Sequence, residues 1–300
     1  MAFSASAETE TPPTSTTTIP PKPSPTITQR TQPSELLACA TTLNAAFVDD
    51  PMLRYTLTRN ISQPSKSTSL ITDPSVTSLL FTIITTAGMT AHGTISSVTH
   101  AAVPSETDEA SPSLSLSSMY PTVGIFMPPG RDPSHPLNFL YQLPRIARLL
   151  FRLGPAVSWR LVVSLPLRFT AMKARAFTPQ QLKQLDFYYV FFLGTRPEAQ
   201  GQGLGSAWLR ACQAEAARAG KPIWLESSTE KSRDLYLRLG WRVVDEEVFG
   251  KGLFDAKGGS VEGGNGEGTK MWGMVWWPEG MDPREATNRG AGKNDDPQEE

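Results

Sequence analysis

Over residues 34–48 apolar side chains return every third or fourth position, at Leu36, Leu37, Ala40, Leu43 and Phe47. That is the stripe of one helix, with Ser34 as its N-cap. Residues 76–91 carry the same period with fewer polar interruptions and read as a second helix. Residues 95–99 and 122–127 are short runs of strand formers expected to pair, joined by the Ser/Glu-rich loop 104–118. Residues 137–153 and 155–173 return to helical character and are full of Leu, Phe, Trp and Arg. Arg145, Arg148, Arg152, Arg160 and Arg168 interrupt that run, so no span of about twenty apolar residues exists to cross a membrane. Core helices are the favoured reading there, with an interfacial amphipathic segment as the alternative. The densest strand pattern is FYYVFFL at 187–193. A glycine-rich turn follows, then a helix with Leu204, Ala207, Trp208, Ala211 and Cys212 on one face. Residues 222–228 read as a buried strand, 234–239 as a short helix closed by Gly240, and 241–244 and 270–277 as further strands. This order predicts an α/β protein with a mixed central sheet flanked by helices.

The two ends break the pattern. Residues 1–33 are rich in Thr, Ser and Pro with almost no aromatic residues, too little to build a core, and are expected to be disordered. They carry Glu8 and Glu10 and no apolar stretch, unlike a secretory signal or transit peptide. Residues 279–300 are similarly polar and are read as a second tail. One domain over 34–278 remains, with a helical insertion at about 137–185 and a core at 186–249.

Charge and cysteine content narrow the class of partner. With 28 Lys and Arg against 29 Asp and Glu, no basic excess is available to neutralise a nucleic acid. Cys39 and Cys212 both fall on predicted helices and read as free buried thiols, pointing to a cytoplasmic protein. His92, His100 and His135 are scattered without ligand spacing, so no metal site is expected.

Candidate chemistry concentrates in the turn Gln200, Gly201, Gln202, Gly203, Leu204, Gly205 and Ser206. A glycine turn between a strand and a helix exposes backbone N–H groups at the positive end of the helix dipole, where phosphate binds. A P-loop is excluded because Gly205 is followed by Ser206 and Ala207, not by Lys and Ser/Thr. The dinucleotide fingerprint is excluded because Gly201, Gly203 and Gly205 fall at every second position. The other glycine-rich stretch, 258–268, precedes a strand instead of opening a helix and is expected to be a flexible hairpin loop.

Gln200, Gly203 and Gly205 fill the pattern Q-x-x-G-x-G, which resembles the acyl-CoA-binding motif of the GNAT N-acetyltransferase superfamily. The segment Leu235-Tyr236-Leu237-Arg238-Leu239-Gly240-Trp241 resembles that family's LYxxLGF helix, with Trp for Phe, and Trp272, Met274 and Pro278 resemble its WxMxxxP ending. Residues 46–55, with Phe47, Asp50, Pro51, Arg54 and Tyr55, and residues 120–130 are similar to segments of the subgroup resembling puromycin N-acetyltransferase and its fungal relatives. In that subgroup an Asn stands four residues before the tyrosine; here Ser232 does. The resemblance implies the GNAT (acyl-CoA N-acyltransferase) fold and acetyl transfer from acetyl-CoA to the amine of a small molecule or peptide.

Such a transfer asks for particular parts. A free alkylamine has a pKa of about 10, so a base must take its proton before attack on the thioester. Backbone N–H groups must face the developing oxyanion, and an acid must serve the departing thiolate. The resemblance places the donors at Leu193, Gly194 and Thr195 and makes Tyr236 the acid; Leu235 and Leu239 flank Tyr236, so a core aromatic is the alternative. For the base, Glu226 ends the second core strand, at the edge where open α/β sheets bind ligands. An ordinary strand-end carboxylate is its alternative reading, and Asp186 is the competing base. The helices over 137–173 are expected to wall the acceptor pocket. A non-catalytic acyl-CoA-binding module and transfer to a hydroxyl remain as other functions, and the oligomeric state is not legible.

Overall fold

Apolar residues alternate along the strands, and the two sets they form are covered by different helices. The computed structural model describes residues 24–61, 64–100 and 120–281. Its first half runs β1 (Pro25–Gln29), α1 (Pro33–Ala46), α2 (Pro51–Thr56), β2 (Thr58–Arg59), β3 (Thr68–Ser69), α3 (Pro74–Thr90), β4 (Thr94–His100) and β5 (Thr122–Met127). Then come α4 (Leu143–Leu153), α5 (Pro155–Trp159), α6 (Leu165–Ala176), α7 (Pro179–Gln184), β6 (Tyr188–Thr195) and α8 (Leu204–Ala219). The chain closes with β7 (Ile223–Ser227), α9 (Glu230–Arg238), β8 (Arg242–Phe249) and β9 (Thr269–Trp276). A seven-stranded sheet in the order β1-β4-β5-β6-β7-β9-β8 forms the centre, and β2 and β3 make a separate pair. Every pairing in the large sheet is antiparallel except β6 with β7. This is the mixed α/β sheet that the sequence pattern predicts.

On one face Phe126, Tyr188, Val190, Ile223 and Leu225 pack with Trp208 and Leu209 of α8 and Tyr236 of α9. On the other, Val123, Ile125 and Met127 meet α1 and α3, while Trp224 and Val275 meet Met172 of α6. The period of two along a strand makes these opposite sides. Gly124 lets Trp208 lie flat on β5, because a Cβ there would stand 2.2 Å from the indole. The indole N–H then donates to Ser96 Oγ at 2.7 Å.

Several sequence expectations are corrected. α1 starts at Pro33, not after Ser34: Glu35 reaches back to accept from the backbone N–H groups of Gln32 and Thr31, making Gln32 the N-cap. Leu37, counted in its apolar stripe, is 60% exposed, and Cys39 takes the buried place. Pro25–Gln29, inside the segment expected to be disordered, is an edge strand in register with β4 from Pro25↔His100 to Gln29↔Ser96. Its side chains are exposed, so no apolar signal marks it and backbone pairing alone defines it. The loop 104–118 lies outside the described residues.

The segment expected to hold two core helices is more divided. α5 and α6 are joined by one π turn, Arg160–Ser164, and all three form a continuous rod. The wider turn brings Arg160 inward, where its guanidinium donates to the carbonyls of Tyr55, at 2.8 Å, and Thr58. Phe151, Trp159 and Leu167 are 89%, 64% and 66% exposed, so the reading of plain core helices is overturned for these faces.

Residues 258–268 are not a loose hairpin. Bridges Gly252↔Gly266 and Phe254↔Ser260 fold the connection, and Phe254 is fully buried against Tyr55. Gly258, at φ +74°, approaches so closely that a Cβ would lie 2.1 Å from the Pro51 carbonyl oxygen.

Candidate active site

The parallel pair opens into a fork. β6 and β7 are in register only at Tyr188↔Ile223 and Tyr189↔Trp224, and beyond those pairs they diverge. On its other edge β6 stays paired with β5 to Thr195, but the register shifts so that Phe191 is an extra residue between Val190 and Phe192. A bulge of this kind re-aims the backbone beside it. No glycine or proline in FYYVFFL announces it, so sequence reasoning missed it. Leu193, Gly194 and Thr195 lie on the free arm. Gly194 also has a packing reason, since a Cβ there would meet Ala46 at 2.8 Å and Leu43 at 3.0 Å. Thr195 Oγ1 shares a hydrogen bond with Thr122 Oγ1 at 2.9 Å, which ties the arm's end to β5.

The glycine turn leaves the end of this arm. Gly201 and Gly203 have φ of +78° and +82°, a region that costs L residues a side-chain clash. Neither would bring a Cβ within 4 Å of another atom, so the space in front of the turn is open. Gly203 is the N-cap of α8 and no side chain caps that end, which leaves the first N–H groups facing outward. Gly205 is inside the helix, where a Cβ would make only ordinary contact with Thr195 and Leu193. Gln200 is held at both ends of its amide: the nitrogen donates to the Thr195 carbonyl at 3.3 Å and the oxygen accepts from Lys231 Nζ of α9 at 2.8 Å. Gln202 donates to the Glu198 carbonyl at 3.4 Å.

Glu226 stands two residues past the last β6–β7 pair, on the α6 side of the sheet. One of its oxygens accepts from Tyr189 Oη at 2.7 Å, the other from Trp224 Nε1 at 2.7 Å. Lys173 Nζ of α6 lies 3.6 Å from that second oxygen and 4.1 Å from the Tyr189 ring centroid. Burial and the Glu226 charge hold the Tyr189 hydroxyl well above its ordinary range, so it stays protonated and donates. Tyr189 and Lys173 were not legible as site residues; one sits mid-strand in an aromatic run, the other on a distant helix.

Tyr236 lies on the opposite, α8 side, buried, with its ring 5.9 Å from that of Trp241. Burial first, and the charge of Asp50 second, push its hydroxyl up to about 12. No hydrogen bond joins Glu226 and Tyr236 among the described residues; the fork is the gap between them. Asp50 is the third residue that the sequence did not flag for chemistry. It caps α2 by accepting from the Leu53 N–H at 2.7 Å, and it accepts from Ser228 Oγ just past β7. Desolvation raises its pKa despite those bonds. Asp186, the competing base, pairs instead with Lys221 Nζ at 2.6 Å, at the N-terminal ends of β6 and β7. Ser232 lies in a hydroxyl cluster with Ser227 and Thr229, each at 2.7 Å.

Residues 179–256 match the family model described as Acetyltransferase (GNAT) domain. The match spans the fork, the glycine turn and α9. Among solved structures, the chain is similar to a histone acetyltransferase HPA2 and related acetyltransferase from Corynebacterium glutamicum, at 20% identity. That alignment covers 87% of this chain and 99% of that one, with a TM-score of 0.49. It is also similar to the Drosophila melanogaster polyamine N-acetyltransferase, which catalyses the formation of N-acetylagmatine, at 13% identity, over 85% and 100% of the chains, TM-score 0.44. A mosquito arylalkylamine N-acetyltransferase like 5b aligns at 16% identity over 85% and 100%, TM-score 0.47. No helix of the described residues is long and apolar enough to cross a membrane, and no group of three His, Cys, Asp or Glu among them could hold a metal ion. Cys39 and Cys212 are both free and buried.

Proposed function

We propose that this protein is an acetyl-CoA-dependent N-acetyltransferase acting on the amine of a small molecule or peptide. The observation that carries the reading is that the open turn at Gly201 and Gly203 leaves the same end of the sheet at which β6 and β7 part. The residues fit the co-substrate: α8 offers uncapped N–H groups to a pyrophosphate, and the free edge of β6 from the Phe191 bulge to Thr195 offers main-chain groups to an extended amide chain. Acetyl-CoA supplies the activated acyl group as a thioester.

Within this reading, the backbone around Leu193, Gly194 and Thr195 orients the thioester carbonyl, and Tyr236, held protonated, gives its proton to the sulfur. Glu226 takes the amine proton from the α6 side of the fork, directly or through water. Tyr189, Trp224 and Lys173 fix the position of its carboxylate. A second assignment of the base, Asp50, is favoured by its burial, its raised pKa and its electrostatic reach to Tyr236. The affiliation with the puromycin N-acetyltransferase-like subgroup rests on the likeness of residues 46–55, which form the Asp50 corner beside the site, and of residues 120–130. Purified protein, acetyl-CoA and a panel of primary amines, read by thiol release, test the function. Release that depends on an amine and disappears in Gly203→Asp supports it; equal release from that variant would remove it.

A further inference from the structure

The apolar arc of α4 is wider than the surface its neighbours cover. At about 100° per residue, Leu149, Leu153 and Ile146 fall on one side, and the first two are buried on α3 and its neighbours. Leu143 lies about a quarter-turn round from that stripe, Ala147, Phe151 and Pro144 follow toward the opposite side, and all four are exposed. Arg145 and Arg148 stand along the margin of this exposed arc, exposed and with no partner among the described residues. Arg152 at the same margin is taken by Ser75 and lies near Asp73. Trp159, Val162 and Leu167 continue as an exposed line along α5 and α6, and the π turn accounts for the step of five between the last two. Leu140 and Tyr141, just before α4, are 54% and 86% exposed. From Pro133 to Leu185 the sequence contains no acidic residue.

We propose that this surface docks reversibly on an anionic lipid bilayer, with Phe151 and Trp159 in the headgroup and acyl boundary and Arg145 and Arg148 on lipid phosphates. Large apolar side chains edged by arginine, with Trp and Tyr carrying polar tips, are the composition of helices that lie in the interface plane. A second copy of the same face is disfavoured by charge, since a two-fold contact would set arginines against arginines. The C-terminal residues 282–300 carry acidic side chains but no large apolar ones, so they match only half of the face. The area is also far from the phosphate-binding turn in sequence, so the proposal stands independently of the acetyl-transfer reading.

The test is flotation of the full chain with phosphatidylcholine vesicles, alone or with about a third phosphatidylserine. The wild type is expected to float only with the anionic vesicles and to be released by salt. Two variants, Phe151→Ser/Trp159→Ser and Arg145→Glu/Arg148→Glu, should each lower partitioning by at least about tenfold, with unchanged circular dichroism and thermal midpoint. The proposal is overturned if the wild type does not float, if it floats equally with neutral vesicles, or if both variants float like wild type. It is also overturned if the wild type self-associates in the absence of lipid and Phe151→Ser/Trp159→Ser abolishes that, which would identify a second copy as the occupant.

Discussion

Two glycine-rich runs, 200–205 and 258–268, look alike in composition, yet particular glycines of the two sit in opposite surroundings. At Gly201 and Gly203 nothing lies within 4 Å of the place a Cβ would occupy. At Gly258, Gly266 and Gly268 that place is already filled by backbone: the Pro51 carbonyl oxygen at 2.1 Å, the Phe254 oxygen at 2.4 Å, and the Phe249 oxygen at 2.8 Å with Val248 Cγ1 at 2.7 Å. Glycine leaves the space before α8 clear in the first run, and at these positions of the second it lets the chain press on itself. The second run still bears on the site. Gly258 packs on α2, whose N-cap is Asp50, and Asp50 accepts from Ser228 beside the fork.

The comparison breaks first at Gly203. Gly203→Asp puts a carboxylate in the open space before α8 and is expected to weaken acetyl-CoA binding about a thousandfold by like-charge repulsion. Its stability should fall by only about 1 kcal/mol, the strain of an L residue in the left-handed region, because the new side chain meets no neighbour. Calorimetric titration together with a melting curve checks both halves.

Gly258→Ala should do the reverse. Its methyl group must displace Pro51 at φ +74°, at a cost of about 3 kcal/mol in unfolding free energy, seen in urea titration. The fraction that remains folded should bind acetyl-CoA with wild-type affinity. Equal loss of affinity in the two glycine variants would erase the distinction between the runs.

Tyr236→Phe separates binding at the first run from transfer beyond it. It keeps the ring packed on Trp241 and removes the hydroxyl, so kcat is expected to fall about a hundredfold. Stability should change by no more than about 1 kcal/mol, and acetyl-CoA affinity should hold. A kcat like that of wild type would leave Tyr236 as a core aromatic. Glu226→Gln is the parallel measurement for the base. Its loss should be most visible below the pKa of the acceptor amine, and a flat ratio to wild type across pH would point to Asp50 instead.

The smallest effect concerns the corner that the second run supports. The folded-state pKa of Asp50 is raised above its ordinary 3.8, so the folded protein holds this proton more tightly than the unfolded chain. That contribution to stability is complete below about 3.8 and is lost as pH rises through the folded value. Asp50→Asn still caps α2 but has no proton to lose, so it should gain on wild type as pH rises above about 4. Melting curves of the two proteins at several pH values read the difference; parallel curves would show that Asp50 is not desolvated.

How much was legible follows from how local each signal is. The strand, turn and helix from Tyr188 to Ala219 could be read because period, glycine spacing and helix start all lie within about thirty residues. The same holds for Tyr236, whose place in α9 is fixed by Leu235, Leu239 and Gly240. β1 could not be read, since an edge strand with exposed side chains is held by backbone bonds that leave no mark on composition. Nor could the partners of Glu226, because Tyr189 and Lys173 come from a neighbouring strand and a helix 37 and 53 positions away (226 − 189 and 226 − 173).

The sequence by itself marked the segments with a strong apolar period, such as α1, α3, β6 and α8, and one turn whose glycines suit an anion. Those are consequences of backbone preferences and apolar periods, which act between near neighbours along the chain. Only the tertiary structure decided that β6 and β7 part after two pairs, that Gly201 and Gly203 face open space while Gly258, Gly266 and Gly268 are packed, and that the arginine-edged face of α4 is left uncovered. Each of these depends on what packs across from a residue, and residues that meet across the fold carry no shared period by which a reader could pair them.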